Sequence, residues 1–206
     1  MTDMQVNQVF VDVRKSFRLL YVYQKRVMDL VQFIGDRYSF RYEGGWSWFS
    51  KNGPKEGKGS LENWAWDWLN MYFYEFKFKT KDLQSYQLNF SVILQSDTGY
   101  YDSEADDQLA IDKFESAEKS ETKLILLVGK NCWNFPNKYE FDSNMSLFKK
   151  DVTTVVKKSS DSLLLVMSFF LSDFRNHETT LAALKNWEQF CEQNEISDFG
   201  VIDKPV

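Results

Sequence analysis

The chain has 206 residues, 43% of them hydrophobic and 27% charged, with a net charge of −5; that is enough apolar material for one folded domain and excludes wholesale disorder. Only nine glycines and three prolines are present, which excludes long low-complexity linkers. Two cysteines in separate elements, Cys132 and Cys191, fit packed thiols in a reducing compartment better than a disulfide framework, and a single histidine, His177, leaves few soft metal ligands.

The N-terminus lacks a basic stretch followed by an apolar run, and the longest apolar run, Leu163 to Leu171, falls far short of the ~20 residues that span a bilayer. A cytoplasmic protein without a membrane segment is expected. The first element, within a block 1–36, is a helix from about Val6 to Ile34, roughly 43 Å long at 1.5 Å per residue. Val6, Phe10, Val13, Phe17, Leu20, Gln24, Val27, Val31 and Ile34 alternate spacings of four and three, an a/d heptad stripe with one polar member. Val9, Leu19, Val22 and Leu30 widen it, which favours packing within the chain, with pairing to a second copy as the competing reading. Gly35-Asp36 supplies the expected stop.

Tyr38 to Phe49 alternates aromatic and polar residues around Gly44-Gly45, predicting a hairpin or a bulged strand, and Lys51 to Ser60 reads as a Gly/Pro-rich loop. From Trp64 to Phe78 one residue in two is aromatic: Trp64, Trp66, Trp68, Tyr72, Tyr74, Phe76 and Phe78 share a parity. An extended strand is expected here, with the aromatic face covered and Asp67, Glu75, Lys77 and Lys79 on a wetted face. Gln87 to Gln95 and Lys123 to Val128 read as two strands that pair across an acidic insertion, 97–122. Between Asp97 and Glu121 nine acids stand against two lysines, a local balance of −7. One amphipathic turn is expected around Leu109, Ile111 and Phe114, Phe148 to Val156 fits helix or strand, and Leu163 to Leu171 reads as a central strand buried on both faces. A helix from His177 to Asn194 closes the chain, N-capped by Asn176, with Leu181, Leu184, Trp187, Phe190 and Cys191 inside. The order indicates a single α+β domain over 1–206, with a mainly antiparallel sheet of about five or six strands covered by the two terminal helices.

For chemistry, Glu75-Phe76-Lys77 resembles the E-x-K triplet of restriction-type metal-dependent nucleases, where two acids bind Mg²⁺ and the lysine orients the attacking water. The resemblance covers three residues, with Asp67 as the second acid, and the short spacing from Asp67 to Glu75 leaves little room for the turn that the pattern needs. Gly53 to Ser60 departs from a phosphate-binding loop, since three residues separate Gly53 from Gly57 and Gly59 follows Lys58. Asp102, Glu104 and Asp106 occupy the first positions of a calcium loop, but Asp107 stands where glycine is needed and Lys113 where glutamate is. His177, at a helix start, reads as a surface or capping residue.

With no complete catalytic set and no implied cofactor, a non-enzymatic interaction domain of the adaptor, inhibitor or immunity type, using the acidic segment and the aromatic-rich sheet, is expected. Its partner would be a protein with a basic surface, met by Asp102, Glu104, Asp106 and Asp107. Acids interleaved among the aromatics disfavour nucleic acid. The alternatives are a Mg²⁺-dependent nuclease or phosphodiesterase on Asp67, Glu75 and Lys77, and a nucleotide sensor with its pocket between helix and sheet.

Overall fold

The computed structural model describes residues 3–47, 69, 71–102, 111–133, 148, 153–157 and 159–196. The chain divides into two compact units, Met1–Ile34 and Gly35–Val206.

The first unit is helical throughout its described length, the major part of helix α1, Asp3–Arg37. No glycine or proline precedes Gly35 to break it. Of the heptad stripe, Val27, Val31 and Ile34 are buried, whereas Phe10, Val13, Phe17 and Leu20 are exposed.

The second unit begins with the end of that helix, and here one expectation fails. Gly35 does not stop α1, which runs on to Arg37. Its role is close approach: a Cβ on Gly35 would lie 2.3 Å from the Phe78 ring. The chain turns instead at Ser39, in the left-handed region at φ 56°, where the Phe40 N–H donates to the Gly35 carbonyl at 2.8 Å.

Strands β1 (Tyr42–Ser47), β2 (Phe73–Phe78), β3 (Lys81–Asp82), β4 (Gln87–Gln95), β5 (Lys123–Lys130), β6 (Thr153–Lys157) and β7 (Leu163–Phe170) form one antiparallel sheet in the order β1-β2-β4-β5-β7-β6, with β3 beside β4. A short helix α2 (Gly99–Asp102) follows β4, and helix α3 (His177–Gln193) follows β7. The fold is α+β: a long N-terminal helix, a C-terminal helix and an open antiparallel sheet. As the sequence predicts, β4 and β5 pair directly across the acidic insertion, from Leu88↔Lys130 to Gln95↔Lys123. Glycines 44 and 45 sit in a single irregular strand whose pairing shifts between Tyr42 and Gly44.

Three expectations about the sheet are corrected. The strand expected from Trp64 to Phe78 begins, among the described residues, at Phe73, after a turn in which the Tyr72 N–H donates to the Leu69 carbonyl; Trp64, Trp66, Asp67 and Trp68 lie outside the described residues. β7 is the second strand from one edge, and only Leu164 to Val166 are buried along it. Most consequential, the sheet does not have one dry and one wet face: eight of the nine residues of β4 are buried. One face carries Phe76, Phe78 and Phe90: Phe78 and Phe90 meet Phe40, Phe90 also meets Tyr38, and Phe76 packs by Tyr42 and Tyr74; the Tyr38 hydroxyl reaches α3, 3.2 Å from Glu188 Oε1, to which the Arg37 Nε donates at 2.7 Å. The other face carries Phe73, Ile93, Ile125, Leu127, Leu164 and Val166 under Cys132, Trp133 and Phe148.

α3 starts where the sequence places it. Asn176 Oδ1 accepts the Thr179 N–H at 2.9 Å, and Thr180, Ala183, Leu184, Trp187 and Cys191 form the buried face.

Candidate functional site

Glu75 and Lys77 leave β2 on one face, as a spacing of two residues requires, opposite Ile93 and Ser91 of β4. The expectation that both are solvent-facing is overturned: Glu75 is 2% and Lys77 1% exposed. The cause lies after β5, where the chain folds back over the sheet through two left-handed residues, Asn131 at φ 52° and Trp133 at φ 64°. Asparagine tolerates that region, and Asn131 is braced there, accepting the Gln87 N–H and donating to the Asp161 carbonyl, both at 2.9 Å. Tryptophan does not, and its strained backbone is held by what its two ends touch. Gly129 makes the fold-back possible, since a Cβ there would come within 2.4 Å of the Cys132 carbonyl oxygen.

A chain lying on a sheet outside the ladder brings buried carbonyls that need donors. The sheet supplies them: Lys77 Nζ donates to Trp133 O at 2.8 Å, Asn89 Nδ2 to Cys132 O at 2.9 Å and Gln95 Nε2 to Phe148 O at 2.8 Å. Glu75 Oε1 in turn accepts the Trp133 indole N–H at 2.9 Å and the Ser91 hydroxyl at 2.6 Å. Trp133 is thus gripped at its carbonyl by Lys77 and at its ring by Glu75. A carboxylate and an ammonium so placed hold an irregular segment against the sheet. Phosphodiester chemistry would require Glu75 to bind a hydrated metal ion and Lys77 to orient the attacking water. Asp67, the remaining member of the nuclease pattern, lies outside the described residues.

Ser91, Asn89, Gln95 and Trp133 are the members that sequence reasoning missed. A signal existed: Asn89, Ser91 and Gln95 alternate with apolar residues along β4. Such alternation ordinarily marks a wetted face; here Asn89 and Gln95 face buried backbone carbonyls and Ser91 faces Glu75 and the Trp133 indole.

The acidic insertion is pinned at both ends. The Thr98 N–H donates to the Glu121 carbonyl and the Glu121 N–H to the Thr98 hydroxyl, both at 3.0 Å, and the Phe114 ring packs on Tyr72 and Tyr100. A 3₁₀ turn at Ile111–Lys113 stands where an amphipathic turn is expected. Asp102 ends α2, whereas Glu104, Asp106, Asp107 and Leu109, like the Gly53 to Ser60 loop, lie outside the described residues. His177 is exposed at the first position of α3.

Among the described residues, exposed large apolar side chains concentrate on α1 between Met4 and Met28. Phe10, Val13, Phe17, Leu20, Tyr21 and Met28 are all exposed and recur at spacings that place them along one side of the helix. Leu19 and Val22 are exposed on other sides. Arg14, Lys15, Arg18, Lys25 and Arg26 flank this surface with no acid between Val13 and Met28; Lys15 and Lys25 pair with Asp12 and Asp29 at 3.1 and 2.6 Å. Contiguous exposed apolar surface of this kind marks contact sites.

Among the described residues, no group of three or more His, Cys, Asp or Glu side chains could hold a metal ion, and no helix is long and apolar enough to cross a membrane. Neither a curated protein nor a solved structure matches the chain. A family model does match it, over residues 3–196, and the chain belongs to that family, PM0109.

Proposed function

We propose that the protein is a non-enzymatic interaction domain, an adaptor, inhibitor or immunity-type protein of the cytoplasm, that engages another protein chain through the exposed N-terminal half of α1. The observation that carries this reading is the open stripe Phe10, Val13, Phe17 and Leu20 on a helix whose later stripe residues, Val27, Val31 and Ile34, are buried. These four side chains are 38–70% exposed, so each forfeits only part of the roughly 1.5–3 kcal/mol that full burial gives, and a partner helix or groove recovers it. The two buried free thiols, Cys132 and Cys191, fit a reducing compartment. The acidic stretch with Asp102, Glu104, Asp106 and Asp107 adds a second contact by charge, toward a basic surface on the partner.

The test is affinity capture from the native source with three tagged forms: the unaltered chain, Phe10→Ser/Phe17→Ser, and a charge reversal at Asp102, Glu104, Asp106 and Asp107. Capture should be lost in the first variant and weakened in the second, with unchanged melting temperatures. Capture that survives the helix substitutions would remove α1 as the contact. DNA or RNA cleavage that needs Mg²⁺ and disappears in Glu75→Gln, which keeps an acceptor for Trp133 and Ser91, at an unchanged melting temperature would replace the interaction reading with the nuclease.

A further inference from the structure

We infer that the occupant of the α1 surface is a second copy of this chain, paired helix to helix, parallel and in register, over Val6 to Gln24. The inference rests on the interaction reading above and names its partner. The first support is self-complementarity. Val6, Phe10, Val13, Phe17, Leu20 and Gln24 hold the four-three alternation without a break, and a narrow a/d seam is matched by a seam of the same period. The other long helix offers none, because its apolar face, with Ala183, Leu184 and Trp187, is already buried.

The second support is the character of the flanks. Partner choice between helices is set largely by charges at e and g positions, here Asn7, Val9, Arg14, Ser16, Tyr21 and Tyr23, of which one is charged. Nothing there selects a differently charged helix, and no ladder of like charges opposes an identical one. The third is Gln24, the lone polar residue at an a position. In a parallel, in-register pair it meets its own copy, and an amide carries both the donor and the acceptor that such a meeting needs; any other arrangement sets it against an apolar residue.

Area bounds the contact. The exposed parts of Val9, Phe10, Val13, Phe17, Leu20 and Tyr21 come to on the order of 600 Å² per chain, so a pair that covered them completely would remove at most about 1,200 Å² from water, the low end for specific interfaces. A concentration-dependent dimer follows. Only Arg14 flanks the seam, but the helix as a whole is basic, with Arg18 and Arg26 beyond the flanks and Lys15 and Lys25 offset by Asp12 and Asp29, so the two copies repel diffusely. Salt screens that repulsion, so the dimer should tighten as ionic strength rises, whereas contact with an acidic protein or an anionic membrane would loosen.

Sedimentation of the purified full chain over a concentration series, at low and high salt, tests this. A monomer–dimer equilibrium strengthened by salt is expected. Phe17 and Leu19 are each 70% exposed, but only Phe17 lies on the seam, so Phe17→Asp should weaken the dimer roughly tenfold or more while Leu19→Asp changes it by less than about twofold. Gln24→Cys should give a disulfide-linked dimer under oxidation, undisturbed by the native thiols, which are buried. Circular dichroism confirms that each variant keeps its helix content. A chain that is monomeric throughout, equal damage from the two aspartate substitutions, a dimer in which two Gln24→Cys chains do not cross-link, or a monomer that binds phosphatidylserine vesicles through this helix would each overturn the inference. A monomer that still captures a different protein through Phe10 and Phe17 would sink self-pairing while leaving the interaction reading intact; loss of both would remove the two together.

Discussion

At the residue scale, the buried charges of β2 are best understood through what they hold. Lys77, Asn89 and Gln95 give their donors to backbone carbonyls of Trp133, Cys132 and Phe148, so their polarity follows from an irregular chain lying on the sheet. Trp133→Phe keeps an aromatic group but removes part of the ring system and leaves Glu75 one donor short, and should lower the free energy of unfolding by about 1–3 kcal/mol in urea titration. Gly129→Ala forces the Cys132–Trp133 backbone off the sheet and should cost a similar ~1–3 kcal/mol by the same measurement. Burial, followed by the Glu188 and Glu192 carboxylates nearby, pushes the Cys191 thiol well above its ordinary range. Little thiolate therefore forms at neutral pH. Native protein should leave Cys191 unreacted with a thiol-specific disulfide reagent, and urea should release it; rapid labelling of the folded chain would contradict its placement.

At the element scale, periodicity proved reliable where one neighbour decides the outcome and misleading where two compete. The helix expected from His177 to Asn194 is found at His177–Gln193 with Asn176 as its cap, because capping is settled by four consecutive residues. Asn176→Ala should cost about 1 kcal/mol, read as a lowered melting temperature. Gly35 shows the opposite case. Read locally it stops a helix; in the structure α1 passes through it, and the glycine answers the Phe78 ring, a residue 43 positions away. The aromatic parity of β2 was legible as well, since Phe76 and Phe78 are buried. What parity could not supply was the fate of the opposite face.

For the second unit, the order β1-β2-β4-β5-β7-β6 sets β4 and β5 at the centre and β1 and β6 at the edges. Interior hydrogen bonds between fully buried strands open only with extensive unfolding. Amides of Leu88 to Leu94 and Leu124 to Val128 should therefore exchange slowest in hydrogen–deuterium exchange, and those of Tyr42 to Ser47 and Thr153 to Lys157 fastest among the strands. Uniform protection across all of them would argue against this order.

The sequence by itself determined the elements: the heptad helix, the two strands joined across the acidic insertion, the capped C-terminal helix and the α+β class. These depend on residue spacings within a few turns or a few strand positions, where side-chain direction follows from backbone geometry alone. Only the tertiary structure decided that Glu75 and Lys77 face a folded-back chain rather than water, and that Phe10, Val13, Phe17 and Leu20 stay exposed while Val27, Val31 and Ile34 do not. Burial is a property of what lies opposite, and a heptad stripe or an alternating strand carries the same pattern whether its face is covered or open.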